Sequence, residues 1–156
     1  AKRQGKIASI TSVEGGVGLE GSLAPLRQWY ALGMRVMTLC HNGTLDWIDS
    51  ATDVKKHGGL TAFGRQVVRE LNRLGVLVDL SHGSPQAALH AIDASRAPIA
   101  LTHSNAFALS SSKIIATNLA RRAPTSRMSV MTRSSARPFP NGIWMARICC
   151  VTISNI

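Results

Sequence analysis

Residues 61–82 have the sequence TAFGRQVVRELNRLGVLVDLSH. Thr61 begins a predicted helix and Gly75 ends it. Apolar side chains recur between them at the spacing of one buried helix face: Phe63, Val67, Leu71 and Leu74. Residues 76–80 are apolar except for Asp79 and predict a buried strand that leads into Ser81 and His82. A helix followed directly by such a strand is typical of a parallel α/β sheet.

The same alternation extends in both directions from this unit. Further strands are predicted over residues 6–13, 36–40 and 98–101, and further helices over residues 23–32 and 85–95. Successive strand–helix units build a parallel sheet with right-handed crossovers. We therefore predict an α/β fold.

Charge is distributed unevenly along the 156 residues, whose net charge is +10. Residues 1–110 carry 11 Lys and Arg together with all 8 acids, whereas residues 111–156 carry 7 Lys and Arg and no acid. The basic segment shows neither an amphipathic helix nor the aromatic pattern that stacks on bases. We predict an α/β domain over residues 1–110 and a poorly structured basic tail over residues 111–156.

Composition excludes several classes of protein. No apolar run approaches the roughly 20 residues that span a bilayer, and from these residues we expect no secretory leader. The three cysteines form no CxxC pair and no even framework, which argues against a disulfide scaffold or a zinc ribbon. These features favour a cytoplasmic location, although a chain that begins at Ala1 is expected to lack its true start.

Four residues suited to metal chemistry each follow a predicted strand: Glu14, His41, His82 and His103. The carboxyl ends of parallel strands meet at one edge, where α/β barrels and open sheets bind their ligands. One carboxylate and several imidazoles suit Zn²⁺, and three protein ligands leave a position open for water. No short fixed-offset motif such as HExxH is present, so spacing alone also allows ordinary polar roles.

The other polar residues have simpler interpretations. Asp79 either bonds to neighbouring backbone or orients a metal ligand from behind, and the sequence leaves both open. We expect His57 and His90 at the solvated surface and Cys40 in the core. Solvated or turn-forming roles are expected for the loop acids: Asp46, Asp49 and Asp53.

Several short motifs follow one another in the order 12–16 (SVEGG), 39–42 (LCHN), 60–64 (LTAFG), 70–75 (ELNRLG), 78–82 (VDLSH), 95–98 (SRAP) and 102–106 (THSNA). Together they resemble the membrane (renal) dipeptidase family of zinc metallopeptidases. The resemblance runs almost without a gap from Gly5 to about Leu109.

The resemblance implies a (β/α)₈ TIM barrel of the metal-dependent hydrolase type, of which this chain covers about four of eight units. It also implies hydrolysis of dipeptides by two zinc ions that a glutamate bridges. By resemblance, Glu14 is the bridging carboxylate, and His82 and His103 complete the ligands of the second zinc. His41 resembles the substrate-binding and catalytic histidine, which contacts the scissile carbonyl or the tetrahedral intermediate.

Departures from the family pattern bear on activity. No His-x-Asp pair for the first zinc precedes Glu14, no late aspartate occurs in residues 111–156, and Lys113 only roughly replaces the arginine that binds the substrate carboxylate. Val17 stands where the family has a histidine. We therefore expect at most one zinc and weak or absent hydrolysis. The abrupt loss of the pattern after Leu109 suggests a change of reading frame.

Two alternative functions stay open. One is a non-catalytic remnant that binds a single metal, and the other is a basic protein whose tail contacts nucleic acid. We predict no specific nucleic-acid partner and no membrane segment. Half a barrel would expose two sheet edges, so poor folding or self-association is also expected.

Overall fold

A computed structural model describes residues 4, 9–106, 115–116 and 128–130 of the chain. The helices and strands in these residues are, in chain order, β1 (Thr11–Glu14), α1 (Ala24–Ala31), β2 (Met34–Thr38), α2 (Ala62–Leu74), β3 (Leu77–Asp79), α3 (Pro85–Ala94), β4 (Ile99–Leu101), β5 (Asn105–Ala106), β6 (Ile115–Ala116) and β7 (Met128–Val130). A 3₁₀ turn over Val17–Leu19 follows β1.

The main sheet is parallel and has the strand order β1-β2-β3-β4-β7. Glu14 on β1 pairs with Thr38 on β2, which pairs with Asp79 on β3. Asp79 in turn pairs with Ala100 on β4. This register brings the carboxyl ends of four strands to one level, since each helix returns the chain to the opposite end of the sheet. The predicted parallel α/β arrangement is confirmed.

Helix α2 begins and ends where the sequence predicts. Thr61 Oγ1 accepts a hydrogen bond of 3.3 Å from the N–H of Gly64, which caps the first turn. Gly75 ends the helix with a φ of 72°, a conformation that costs glycine little. Val67 and Leu71 are fully buried, so the predicted apolar face packs into the core.

Two strands differ from their predicted bounds by more than one residue. Strand β2 covers Met34–Thr38 rather than residues 36–40, because Met34 is buried and pairs with Thr11 of β1. Strand β1 begins at Thr11 rather than at residue 6, and residues 5–8 lie outside the described residues.

The core extends beyond the helices and strands into the β2–α2 loop, which we define as residues 39–61. Trp47, Ile48 and Leu60 of this loop are buried in the core. Gly64 of α2 lies against it, since a Cβ atom at this position would be 2.6 Å from the carbonyl oxygen of Trp47. The β2–α2 loop is therefore a packed part of the fold.

Short strands also occur after residue 106. Strand β7 pairs in parallel with β4, and β5 pairs with β6, although the sequence predicts no packed structure from residue 111. The other residues from 107 to 156 lie outside the described residues, so the division at residue 110 stays a prediction. Within the described ranges, no helix is long and apolar enough to cross a membrane.

An ionic cluster joins α1 to α2. Glu70 Oε1 accepts hydrogen bonds of 2.7 Å from Arg27 Nε and Arg73 Nη2, and Glu70 Oε2 accepts one of 2.8 Å from Arg73 Nε. The Glu70 side chain is only 9% exposed. Hydrogen bonds from Arg73 and then from Arg27 lower the pKa of Glu70 from its usual 4.5 to about 2.

We expect Glu70→Gln to lower the free energy of unfolding by about 1 kcal/mol at neutral pH, because solvent screens two guanidinium groups that are more than half exposed. A carboxylate with a lowered folded-state pKa stabilises the fold above its unfolded pKa. The difference in the free energy of unfolding between wild type and Glu70→Gln should therefore shrink as pH falls from 4.5 towards 2. Urea unfolding across this range measures it.

The control for this experiment is Asp93→Asn, which alters an exposed acid on α3 and should change stability little. A difference between wild type and Glu70→Gln that stays constant down to the lowest pH would contradict the ionic explanation.

Candidate metal centre

Glu14 lies at the carboxyl end of β1, where the chain turns through two glycines. Gly15 has a φ of 95°, which favours glycine. A Cβ atom on Gly16 would lie 2.8 Å from the carbonyl oxygen of Leu39 and would clash with the ring of Trp47. The close approach keeps the Glu14 carboxylate at the level of the neighbouring strand ends, with 16% of its side chain exposed.

Two imidazoles approach the same oxygen of this carboxylate. His82 Nε2 and His103 Nε2 each lie 3.1 Å from Glu14 Oε1. One potential ligand atom from each of the three residues lies within 4.8 Å of the others. Ligand atoms of a tetrahedral zinc, each about 2.0 Å from the metal, are separated by about 3.3 Å. The three side chains therefore fit one divalent metal ion.

His103 is oriented by a hydroxyl group. Its Nδ1 lies 2.8 Å from Thr102 Oγ1, which donates a hydrogen bond of 2.6 Å to Asp79 Oδ2. Because Asp79 receives the hydroxyl proton, Thr102 Oγ1 accepts a hydrogen bond from Nδ1–H of His103, and Nε2 faces Glu14. An imidazole whose one nitrogen is held in this way can bind a metal ion through its other nitrogen.

The buried Asp79 carboxylate accepts five hydrogen bonds from β2 and from the ends of β3 and β4. The donors are Thr38 Oγ1, the N–H and Oγ of Ser81, and the N–H and Oγ1 of Thr102. The sequence left open whether Asp79 bonds to backbone or orients a ligand. The Asp79 carboxylate bonds directly to neighbouring backbone N–H groups, and it also contacts the ring of His103 through the hydroxyl of Thr102.

His82 is held in a different way. Its backbone has a φ of 68°, which is uncommon for a residue other than glycine, and its side chain is buried. Burial lowers the pKa of His82, and His103 and His41 lower it further against the opposing effect of Glu14. Within the part of the chain that the structure describes, Nδ1 of His82 has no hydrogen-bond partner.

His41 lies at the rim of this cluster. Its Nε2 is 3.9 Å from Glu14 Oε1, and its ring centroid is 4.5 Å from that of His82. Half of its side chain, 54%, is exposed. The structure therefore places His41 beside the three potential ligands, where a bound molecule can reach it.

The loop acids divide into two kinds. Asp46 and Asp53 are exposed, as expected, but Asp49 is fully buried rather than solvated. Although burial raises the pKa of Asp49, hydrogen bonds from the N–H groups of Lys56, Gly59 and His57 outweigh it, so the pKa lies below its usual value. Backbone donors have no sequence signature, which is why the pattern did not reveal this residue.

Two histidines also differ from expectation. His57 and His90 are half-buried and bonded rather than simply solvated. His57 Nε2 donates a hydrogen bond of 3.0 Å to the carbonyl oxygen of Leu45, and His90 Nδ1 accepts one of 3.2 Å from the N–H of Leu60. Cys40 is buried as expected, and burial raises the pKa of its thiol to about 12.

A carboxylate and two imidazoles at the carboxyl ends of parallel α/β strands are ligand types in a position that metal-dependent hydrolases commonly use. The sequence profile of the membrane dipeptidase family (peptidase family M19) matches residues 1–119, and the chain belongs to this family. The match passes the predicted domain boundary at residue 110. Dipeptidase 3 of Rattus norvegicus is 43% identical over 106 residues, which cover 65% of this chain and 22% of that protein.

Solved structures show the same fold. The probable dipeptidase PvdM from Pseudomonas aeruginosa superposes with a TM-score of 0.74 at 30% identity, over 82% of this chain and 34% of that chain. A metallopeptidase from Rhodobacter sphaeroides, liganded with a phosphinate mimic of the dipeptide L-Ala-D-Ala, gives a TM-score of 0.66 at 27% identity. This superposition covers 78% of the present chain and 37% of the Rhodobacter sphaeroides chain. The predicted family and partial barrel are confirmed, and the chain spans about a fifth of the curated relative's length.

Thr102→Val keeps the shape of the side chain but removes the hydroxyl between Asp79 and His103. We expect the affinity of the Thr102→Val variant for Zn²⁺ to fall about tenfold. Loss of a partner that orients a ligating histidine typically lowers metal affinity about 10–100-fold. Competition with a chromophoric chelator measures the affinity. Thr102→Ser keeps the hydroxyl and should bind as wild type does. Equal affinities of the valine variant and wild type would show that the ring needs no such support.

Proposed function

We propose that this protein is a zinc-dependent dipeptidase in which Glu14, His82 and His103 hold one Zn²⁺. The observation that carries the proposal is the approach of two imidazole nitrogens to one carboxylate oxygen, each at 3.1 Å, in a chain of the membrane dipeptidase family. Carboxylate oxygen and imidazole nitrogen are ligands of hydrolytic zinc sites, and three protein ligands leave a position for water or substrate.

The chemistry that bound zinc would supply is polarisation of the substrate carbonyl group and activation of a water molecule. The chain's own side chains would position the dipeptide. His41 is half exposed and adjoins His82, so its imidazole can donate a hydrogen bond to the scissile carbonyl oxygen. Asp79, acting through Thr102, would keep the ring of His103 fixed during this step. Asp79 is thus a positioning residue, and His41 contacts the substrate.

A chain of these 156 residues should hold at most one zinc and hydrolyse dipeptides weakly. The sequence offers no His-x-Asp pair before Glu14 for a second zinc and no late aspartate to handle the proton. Lys113 is the nearest substitute for the substrate-binding arginine. Activation of water and positioning of substrate act together, so losing several contributors removes most of the rate acceleration.

Two other functions compete with this proposal. The first is metal binding without turnover, which the same residues would support. The second is nucleic-acid binding by the basic residues 111–156, which would show a steep salt dependence. Binding to DNA that disappeared when residues 111–156 were deleted would favour that function.

The assay is hydrolysis of simple dipeptides by the purified chain with added Zn²⁺, together with metal content by mass spectrometry. We expect no more than about one zinc per chain and slow hydrolysis that a chelator abolishes. His82→Ala should lose both the zinc and the residual activity. The matched control is His90→Gln, since His90 bonds to Leu60 and not to Glu14. Hydrolysis that survives both chelation and His82→Ala would contradict the proposal.

We further propose that the chain self-associates through the β1 edge of its sheet. In the described part of the sheet, β1 pairs only with β2, and the exposed apolar side chains of Ile10 and Val17 flank it. Light scattering after size exclusion should show oligomers, and the double change Ile10→Ser with Val17→Ser should reduce them. Val54→Ser, which alters an exposed valine of the β2–α2 loop, is the control. A monodisperse wild-type monomer would contradict this expectation.

A further inference from the structure

The two candidate histidine ligands differ in what fixes them. Thr102 bonds to the far nitrogen of His103, but Nδ1 of His82 has no partner among the described residues. The position of the His82 ring therefore depends on its backbone. That backbone is left-handed, at a cost of roughly 1–2 kcal/mol for a residue with a Cβ atom. Neighbouring structure must hold it there.

The β2–α2 loop contacts this backbone directly. The N–H of Ala51 donates a hydrogen bond of 2.7 Å to the carbonyl oxygen of His82. On either side, Ser50 forms an antiparallel bridge with Gly83, and the N–H of Ser84 donates to the carbonyl oxygen of Asp49 at 2.9 Å. Residues 49–51 thus lie alongside residues 82–84, and these hydrogen bonds hold the backbone conformation of residues 82–84.

The buried carboxylate of Asp49 in turn fixes residues 49–51. Its Oδ1 accepts hydrogen bonds of 2.8 Å from the N–H of Lys56 and 3.0 Å from that of His57. Its Oδ2 accepts one of 2.7 Å from the N–H of Gly59. These bonds close the chain from residue 49 to residue 59 around one side chain.

The same loop also touches the turn that follows Glu14. The ring of Trp47 occupies the space where a Cβ atom of Gly16 would lie. Asp49 and Trp47 are two residues apart, so one short segment contacts the backbone next to two of the three candidate ligands.

We propose that Asp49 is a positioning residue for the metal centre: by folding the β2–α2 loop, it holds the backbone of His82 so that Nε2 faces Glu14. This inference rests on the proposed function, because it concerns the same zinc ligands. Asp49 contacts neither metal nor substrate and acts only through the loop.

The test compares Zn²⁺ affinity and the visible spectrum of the Co²⁺-substituted protein for wild type and Asp49→Asn. The asparagine has the same shape but offers one acceptor oxygen and two donor hydrogens to three backbone N–H groups. We expect the dissociation constant for Zn²⁺ to rise about tenfold or more, within the range found for residues that support metal ligands. The Co²⁺ absorption bands should shift, because His82 no longer holds its place.

Two controls separate positioning from general loosening. Asp53→Asn alters the exposed acid of the same loop, which also accepts two backbone N–H bonds, and should leave affinity and spectrum unchanged. Val67→Ala lowers stability from a fully buried site on α2 and should not change the Co²⁺ spectrum. If Asp49→Asn does not fold, Ser50→Ala replaces it. The Ser50 hydroxyl lies 2.9 Å from the carbonyl oxygen of Asn42, 3.0 Å from that of His41 and 3.4 Å from that of His82. Its removal should loosen the segment 49–51 and weaken Zn²⁺ binding about threefold.

The outcomes distinguish this inference from the proposed function. Zn²⁺ affinity and a Co²⁺ spectrum like those of wild type in a folded Asp49→Asn would overturn the role of Asp49 and leave the ligand assignment intact. The same result for Ser50→Ala would overturn the contact between residues 49–51 and His82 through which Asp49 is proposed to act. Wild-type protein that bound no Zn²⁺, or bound it equally after His82→Ala, would overturn the proposed ligand set and this inference with it.

Discussion

The carboxylate of Asp79 joins the parts of the sheet on which the candidate centre depends. It accepts hydrogen bonds from Thr38 on β2, from Ser81 after β3 and from Thr102 after β4. An ionised carboxylate buried without partners would be strongly destabilising, so these donors are a condition of its presence there. Their positions require the parallel register in which the three strand ends lie at one level. The hydrogen bonds to Asp79 therefore require the parallel strand register, and the same register places the candidate ligands at one edge of the sheet.

The features that the sequence predicts are those with a local cause. The helix over residues 62–74 follows from apolar spacing, the Thr61 cap and Gly75, and each of these signals lies within the element itself. The convergence of Glu14, His82 and His103 follows from a rule of parallel sheets, since residues after successive strands share one edge. Neither prediction needed a long-range contact to be known in advance.

The features that the sequence does not predict depend on partners without a pattern. Asp49 resembles its exposed neighbour Asp53 in sequence, yet three backbone N–H groups enclose it. His57 in the β2–α2 loop and His90 on α3 likewise bond to backbone atoms, which every residue carries. Strand β2 begins two residues before its predicted start because the burial of Met34 depends on its pairing with β1. In each case, tertiary packing decided between roles that the side chain alone allows.

The supports of the two histidines come from different parts of the fold. The sheet fixes His103 through Thr102 and Asp79, whereas a loop holds the strained backbone of His82. Every contact described for the three candidate ligands nevertheless lies within residues 14–103. The proposed metal site can therefore depend on this segment alone. His41, the side chain proposed to contact the substrate, lies at the rim of the same cluster and is not one of the three proposed ligands. A change that weakens substrate binding at His41 need not release the metal.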